Sequence, residues 1–292
     1  MFIEKAEGII IKIFPKKEVN DNMTICIATM CENKYVVVAT DRMLTVTLPN
    51  IEFETDYAKA TEVTKNCIAA TAGSAIAYTP LFRDAGIEIA KEGTKDIDKI
   101  VELTRNSYVK IRNKKIEEEI LCPIGLNLQN FYQANQALQP QLVATLVQSM
   151  QRYNYQLWIL IAGVDEKGPH IYRIENPGRT LNYDTIGYHA IGSGELHAIS
   201  TFIAGGYGLK ATLQRALAIT YEAKKRSEKA QGVGVQTDMY VVSKDKVTHL
   251  PDNAIIELDS MYQKRLEEEK KIVSDVEDMI SKLDIDKLLT ST

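Results

Sequence analysis

Two short apolar runs, Thr24 to Met30 and Tyr35 to Thr40, constrain the fold of this chain more than any other feature. Only Cys31-Glu32-Asn33-Lys34 separates them, a connection suited to an antiparallel hairpin. Val36-Val37-Val38-Ala39 has no polar face, which is the pattern of a strand covered on both sides. A further apolar segment, Asn66 to Ala72, runs into Gly73-Ser74. A long helical stretch follows from Leu81 to Glu119, broken near Gly93, and residues 126 to 153 also read as helix. Strands return at Leu157 to Val164 and His170 to Glu175, around the turn Asp165-Glu166-Lys167-Gly168, and again at Ile186 to Ile191. After Gly192-Ser193-Gly194 come helix-like residues 195 to 230, then a last strand, Met239 to Val242, and a turn at Ser243 to Lys246. Strands, helices, strands, helices, strand is the order of an α+β chain.

Composition supplies the exclusions. With 45% hydrophobic and 25% charged residues, the 292-residue chain has ample side chain for a buried core. A net charge of −4 gives no basic surface for nucleic acid or an anionic membrane, so neither is expected as a partner. No apolar run reaches the length of a membrane span, and the start of the chain has no secretory pattern. A cytoplasmic protein is the expectation. Cys26, Cys31, Cys67 and Cys122 form no C-x-x-C pair, and no two of the four histidines stand four apart, so neither a metal nor another cofactor is expected.

Three segments are expected. Residues 1 to 22 read as an appended strand and loop, a propeptide or extension; residues 24 to 255 as the domain; residues 256 to 292 as an amphipathic helical tail. In the tail Met261, Leu266, Ile272, Val276, Met279, Ile280, Leu283, Ile285 and Leu288 recur near helical spacing. That pattern suits a helix packed on its own domain or one that binds a partner.

Thr24-Ile25-Cys26-Ile27-Ala28, a turn, then Val36-Val37-Val38-Ala39-Thr40-Asp41-Arg42 resembles the start of mature proteasome β-subunits and their bacterial relatives. The run from Lys59 through Cys67-Ile68-Ala69-Ala70-Thr71-Ala72-Gly73-Ser74 is similar to the family's lysine, strand and glycine turn beside the substrate groove. Leu160 to Asp165, Gly168 to Tyr172 and Ala190 to Gly194 resemble three further blocks in the same order, so the resemblance spans residues 24 to 250. It implies a four-layer αββα sandwich and N-terminal nucleophile chemistry.

In such chemistry a threonine hydroxyl attacks an amide carbonyl, and the threonine's own α-amine serves as base. The resemblance implies that Thr24 is this nucleophile once it becomes the N-terminus. It also implies that Lys59 favours the neutral amine, Asp41 holds Lys59, and Ser193 orients the amine. The backbone N–H near Ala70, where the family usually has glycine, would be the oxyanion donor. Read without the family, each has a plainer role: a strand threonine, a strand-end aspartate, a surface lysine, a turn serine. Cys26 and Cys31 read as buried packing.

Three departures accompany the match. Met23 rather than glycine precedes Thr24, leaving self-cleavage and a start at Met23 as alternative routes to a free Thr24. Ser227 stands where the family carries a supporting aspartate, with Glu228 or Asp238 as substitutes. There is also one extra residue between Thr24 and Asp41. The implied activity is a threonine-type peptidase or amidohydrolase acting on peptide or protein within a homo-oligomer. Any ATPase would be a separate polypeptide, because the chain has no G-x-x-x-x-G-K-[ST] motif. A non-catalytic structural subunit and an acyl-transferring, ligase-like enzyme are the alternatives.

Overall fold

The computed structural model describes residues 24–47, 50–55, 58–73, 75–134 and 136–282. The 1 to 22 segment and the last ten residues lie outside the described residues.

Strands β1 (Cys26–Cys31) and β2 (Tyr35–Asp41) form the expected hairpin. Its turn is Glu32-Asn33-Lys34, with Glu32 and Asn33 in left-handed backbone at φ 54° and 53°. A separate two-stranded ribbon follows, β3 (Met43–Thr47) with β4 (Asn50–Glu54). Then come β5 (Ala60–Thr64), β6 (Cys67–Gly73), helices α1 (Ala75–Glu92) and α2 (Ile97–Ile116), and the shorter α3 (Leu128–Ala134) and α4 (Pro140–Arg152). The second half holds β7 (Leu157–Asp165), β8 (Gly168–Glu175), β9 (Arg179–Asn182), β10 (Tyr188–Ile191), helices α5 (Glu195–Ala204) and α6 (Leu213–Ser227), β11 (Thr237–Val242), β12 (Val247–His249) and a 30-residue helix, α7 (Asp252–Ser281). All strand pairing is antiparallel, in two five-stranded sheets ordered β10-β1-β2-β11-β12 and β5-β6-β7-β8-β9.

The period-2 alternation of side chains explains the layering. From the first sheet Cys26, Ala28, Met30, Val36 and Val38 meet Ile68, Ala70, Ala72, Leu160, Ala162 and Val164 of the second. Their neighbours one residue along point the other way. Ile27, Val37 and Ala39 are covered by Ala198 and Phe202 of α5 and Ala216 and Ile219 of α6. Cys67, Ala69, Ile159 and Ile161 are covered by Leu81, Ala85, Ile100 and Tyr108 of α1 and α2. The chain is therefore an α+β, four-layer αββα sandwich, and the apolar run Val36 to Ala39 of β2 lies, as its pattern requires, between a sheet and a helix layer. Residues 195 to 230 are two helices rather than one, because Gly205-Gly206-Tyr207-Gly208 breaks them.

One ion cluster ties the second sheet together. His170 lies 2.7 Å from Asp184 through Nδ1 and 3.1 Å from Asp165 through Nε2, while Asp165 also accepts the Ile97 N–H at the start of α2. Hydrogen bonding to Asp184 raises the His170 pKa. Stability from a raised histidine is fully present below its unfolded value, about 6.5, and is lost as pH rises through the folded value. His170→Gln is therefore expected to cost more stability at pH 5.5 than at pH 9. Urea unfolding of both proteins at the two pH values measures the gap, and an equal gap would remove charge from the account.

Candidate functional site

Strand register assembles the site. In the β1–β2 hairpin Cys26 pairs with Thr40, so Asp41 falls opposite Ile25, one residue from Thr24. On the other side of β1, Cys26 pairs with Ile191, and continuing that register sets Ser193 beside Thr24. Lys59 comes from the second sheet, immediately before β5, where its carbonyl accepts the Thr71 N–H at 3.2 Å. Four residues far apart in sequence thus meet at one end of the sandwich.

Thr24 is 3% exposed, Asp41 0% and Lys59 8%. The Thr24 hydroxyl donates to Asp41 Oδ1 at 2.8 Å, and the Lys59 ammonium donates to Asp41 Oδ1 at 2.8 Å and to the Thr24 hydroxyl oxygen. Three backbone N–H groups complete the shell of Asp41: Ile25 at 3.0 Å on Oδ1, Met43 at 3.2 Å and Gly234 at 2.9 Å on Oδ2. So many donors leave neither oxygen of this buried side chain without a partner. The Thr24 N–H lies 3.4 Å from Ser193 Oγ, whose own hydrogen goes to the Gln231 carbonyl at 2.9 Å. Gly192 makes this approach possible: with φ at +105°, a Cβ there would stand 2.2 Å from the Thr24 carbonyl oxygen.

Ala70 does not join the group. Thr71 donates to Lys59 and Val164 donates to Asn66, and these two bonds fix which way alternate residues of β6 point. Odd-numbered N–H groups face β5 and the Lys59 edge; even-numbered ones face β7. Ala70, paired with Leu160, directs its N–H into the sheet, so the Ala70 expectation is corrected. Gly73, at the end of β6, shares the direction of Thr71.

The two residues expected to substitute for the missing aspartate are also engaged elsewhere. Glu228 accepts from Lys224 at 2.6 Å and Lys225 at 2.8 Å. Asp238 holds Arg42 through two bonds, of 2.9 and 2.6 Å, and lies 3.1 Å from His249. Ser227 itself is fully buried, its Oγ 2.7 Å from the Ala223 carbonyl and 3.1 Å from that of Gly194. The Cys26 thiol donates to the Thr71 carbonyl at 3.3 Å, and burial raises its pKa, as burial pushes Cys31 up to about 12, so both stay protonated. Sequence reading passed over the loop before β11. Its Gly232-Val233-Gly234 pattern was the available signal, since a Cβ on Gly234 would meet Met43 and Glu54.

The proteasome-subunit family model matches residues 124–242, which carry α3 through β11 and include Ser193. Over that span the chain is similar to proteasome subunits. Thr24, Asp41 and Lys59 of this proteasome-like chain precede the matched span, and what is said of them rests on the geometry above. No curated protein matches the chain. Among the described residues no helix of the proteasome-like chain is long and apolar enough to cross a membrane.

Proposed function

We propose that this proteasome-like chain is a threonine-type peptidase or amide hydrolase that works once Thr24 is its first residue. The observation that carries the reading is the convergence of Thr24, Asp41 and Lys59 in one buried, hydrogen-bonded group. A lysine ammonium touching a threonine hydroxyl lowers the energy of the alkoxide that forms as the hydroxyl gives up its proton. The Thr24 nitrogen is an amide while Met23 precedes it. Freed, it becomes an amine held by Ser193 and close enough to accept that proton.

The reaction then runs in two halves. Thr24 Oγ1 bonds to the substrate carbonyl carbon as its proton passes to the α-amine; the C–N bond breaks and the leaving amine takes that proton. Water, deprotonated by the same amine, adds to the ester, and the acid leaves as Thr24 regains its hydrogen. With Ala70 turned into the sheet, the oxyanion donor is assigned to the Gly73 N–H, on the Lys59 side of β6.

The substrate class is peptide or protein, and assembly with further copies of the chain, in a cytoplasmic setting, belongs to the same proposal. So do the segment boundaries at residues 22 and 255, and any separate ATPase. The lack of a carboxylate at Ser227 favours a second reading, a non-catalytic subunit that keeps the scaffold. Hydrolysis of a mixed peptide library by chain beginning at Thr24 decides between them. The catalytic reading expects turnover that Thr24→Ala abolishes; no turnover by the Thr24-initiated chain supports the scaffold. Joined products on adding a peptide amine would assign acyl transfer.

A further inference from the structure

Helix α7 changes character half-way. Its first half docks on the domain: Ile255, Leu258 and Tyr262 pack against the helix-covered core. Asp259 accepts from Tyr221 at 2.8 Å, Glu269 from Arg226 at 3.2 Å, and Arg265 pairs with Glu222. The same face then continues past Glu269 as Val273, Val276 and Ile280, at the alternating four and three spacing of a coiled-coil seam. With the flanking Ile272 and Met279, these five side chains are between 46% and 63% exposed.

Charge identifies the occupant. Along this seam Lys270 and Glu277 lie on one flank, seven residues apart and opposite in sign, and Ile272 and Met279 lie on the other. Among the described residues neither Lys270 nor Glu277 makes an ion pair. An antiparallel copy, related by a two-fold axis near Ser274 and Asp275, sets Val273 against the partner's Val276. It also sets Lys270 against the partner's Glu277, and Ile272 against the partner's Met279, each contact occurring twice. A parallel copy would instead oppose Arg265 to the partner's Lys270, like against like, and Ile272 to the partner's Glu277.

We propose that the free half of α7 is a dimerisation surface whose occupant is the same segment of a second copy of this chain, packed antiparallel. The surface is independent of the Thr24 chemistry. Cysteine pairing tests it in the full chain, in a Cys122→Ser background that removes the exposed cysteine and leaves the three buried ones. Residues seven apart in one helix are separated by about 10.5 Å along its axis. That is too far for a disulfide, which needs Cα atoms roughly 4.4–6.8 Å apart. Lys270→Cys with Glu277→Cys is expected to give a closed disulfide-linked dimer under mild oxidation, at more than ten times the yield of either single variant. Adding Val273→Glu and Val276→Glu should abolish it. Equal cross-linking by a single variant, a ladder of longer linked species, or no linked species from double variant with unchanged circular dichroism would each overturn the antiparallel two-fold.

Discussion

Lys59→Met is expected to lower hydrolysis about 1000-fold, the scale of losing one preorganised donor to a developing oxyanion. Its ammonium is the only side-chain cation hydrogen-bonded to Asp41 and Thr24 among the described residues. The substitution should also destabilise the fold. Removing one member of a buried ion pair leaves the other charge uncompensated, at a cost of about 3 to 5 kcal/mol. Three backbone N–H groups still serve Asp41, which places the expected loss at the lower end of that range. Denaturant unfolding and peptide hydrolysis, measured on the same samples, separate the two effects. A variant that loses stability but keeps its rate would show Lys59 to be structural only.

Gly192→Ala should be nearly as damaging for a different reason. The added Cβ would sit 2.2 Å from the Thr24 carbonyl oxygen and 2.8 Å from Thr24 Cγ2, on backbone at φ +105° that an alanine rarely adopts. The Thr24 carbonyl is also held, by the Gly194 N–H at 3.4 Å, so relief requires moving Thr24. A displacement of order 1 Å costs roughly 100-fold in rate, and the strained backbone costs about 1 to 3 kcal/mol. Because the substitution adds no charge and removes no functional group, its effect on rate reports position alone. An unchanged rate would mean that the Thr24 end of β1 is not where the chemistry happens.

What the sequence made legible follows from how each element is buried. β1, β2, β6 and β7 are apolar on both faces, so composition alone marks them, and the hairpin register then fixes Asp41 beside Thr24. Three of the four strands at sheet edges carry no such mark. β5 contains exposed Thr61 and Glu62 and reads as part of a charged segment; β9 and β12 are four and three residues long. Among the described residues the β3–β4 ribbon pairs only with itself, and the alternation of Leu44 and Val46, then Ile51 and Phe53, with polar residues was the signal left unread. At the site, Lys59 and Ser193 are ordinary residues that only the motif order singles out, because Ser193 reaches Thr24 through the pairing of β1 with the distant β10 and Lys59 through the packing of one sheet on the other. The Ala70 expectation failed on a property no single strand contains. Which way an N–H points is decided by the bonds to β5 and β7, and Thr71 and Val164 reveal it only once those strands are in place.

The proposed nucleophile is the Thr24 hydroxyl, next to its own free amine. Intact mass of the purified protein before and after treatment with a peptide bearing a hydroxyl-reactive electrophile, followed by fragment mapping, tests it most directly. The expected result is a chain beginning at Thr24 that gains one adduct, mapped to Thr24, and a Lys59→Met chain that gains it far more slowly. A chain that still carries Met23 and takes no adduct at Thr24 would contradict it.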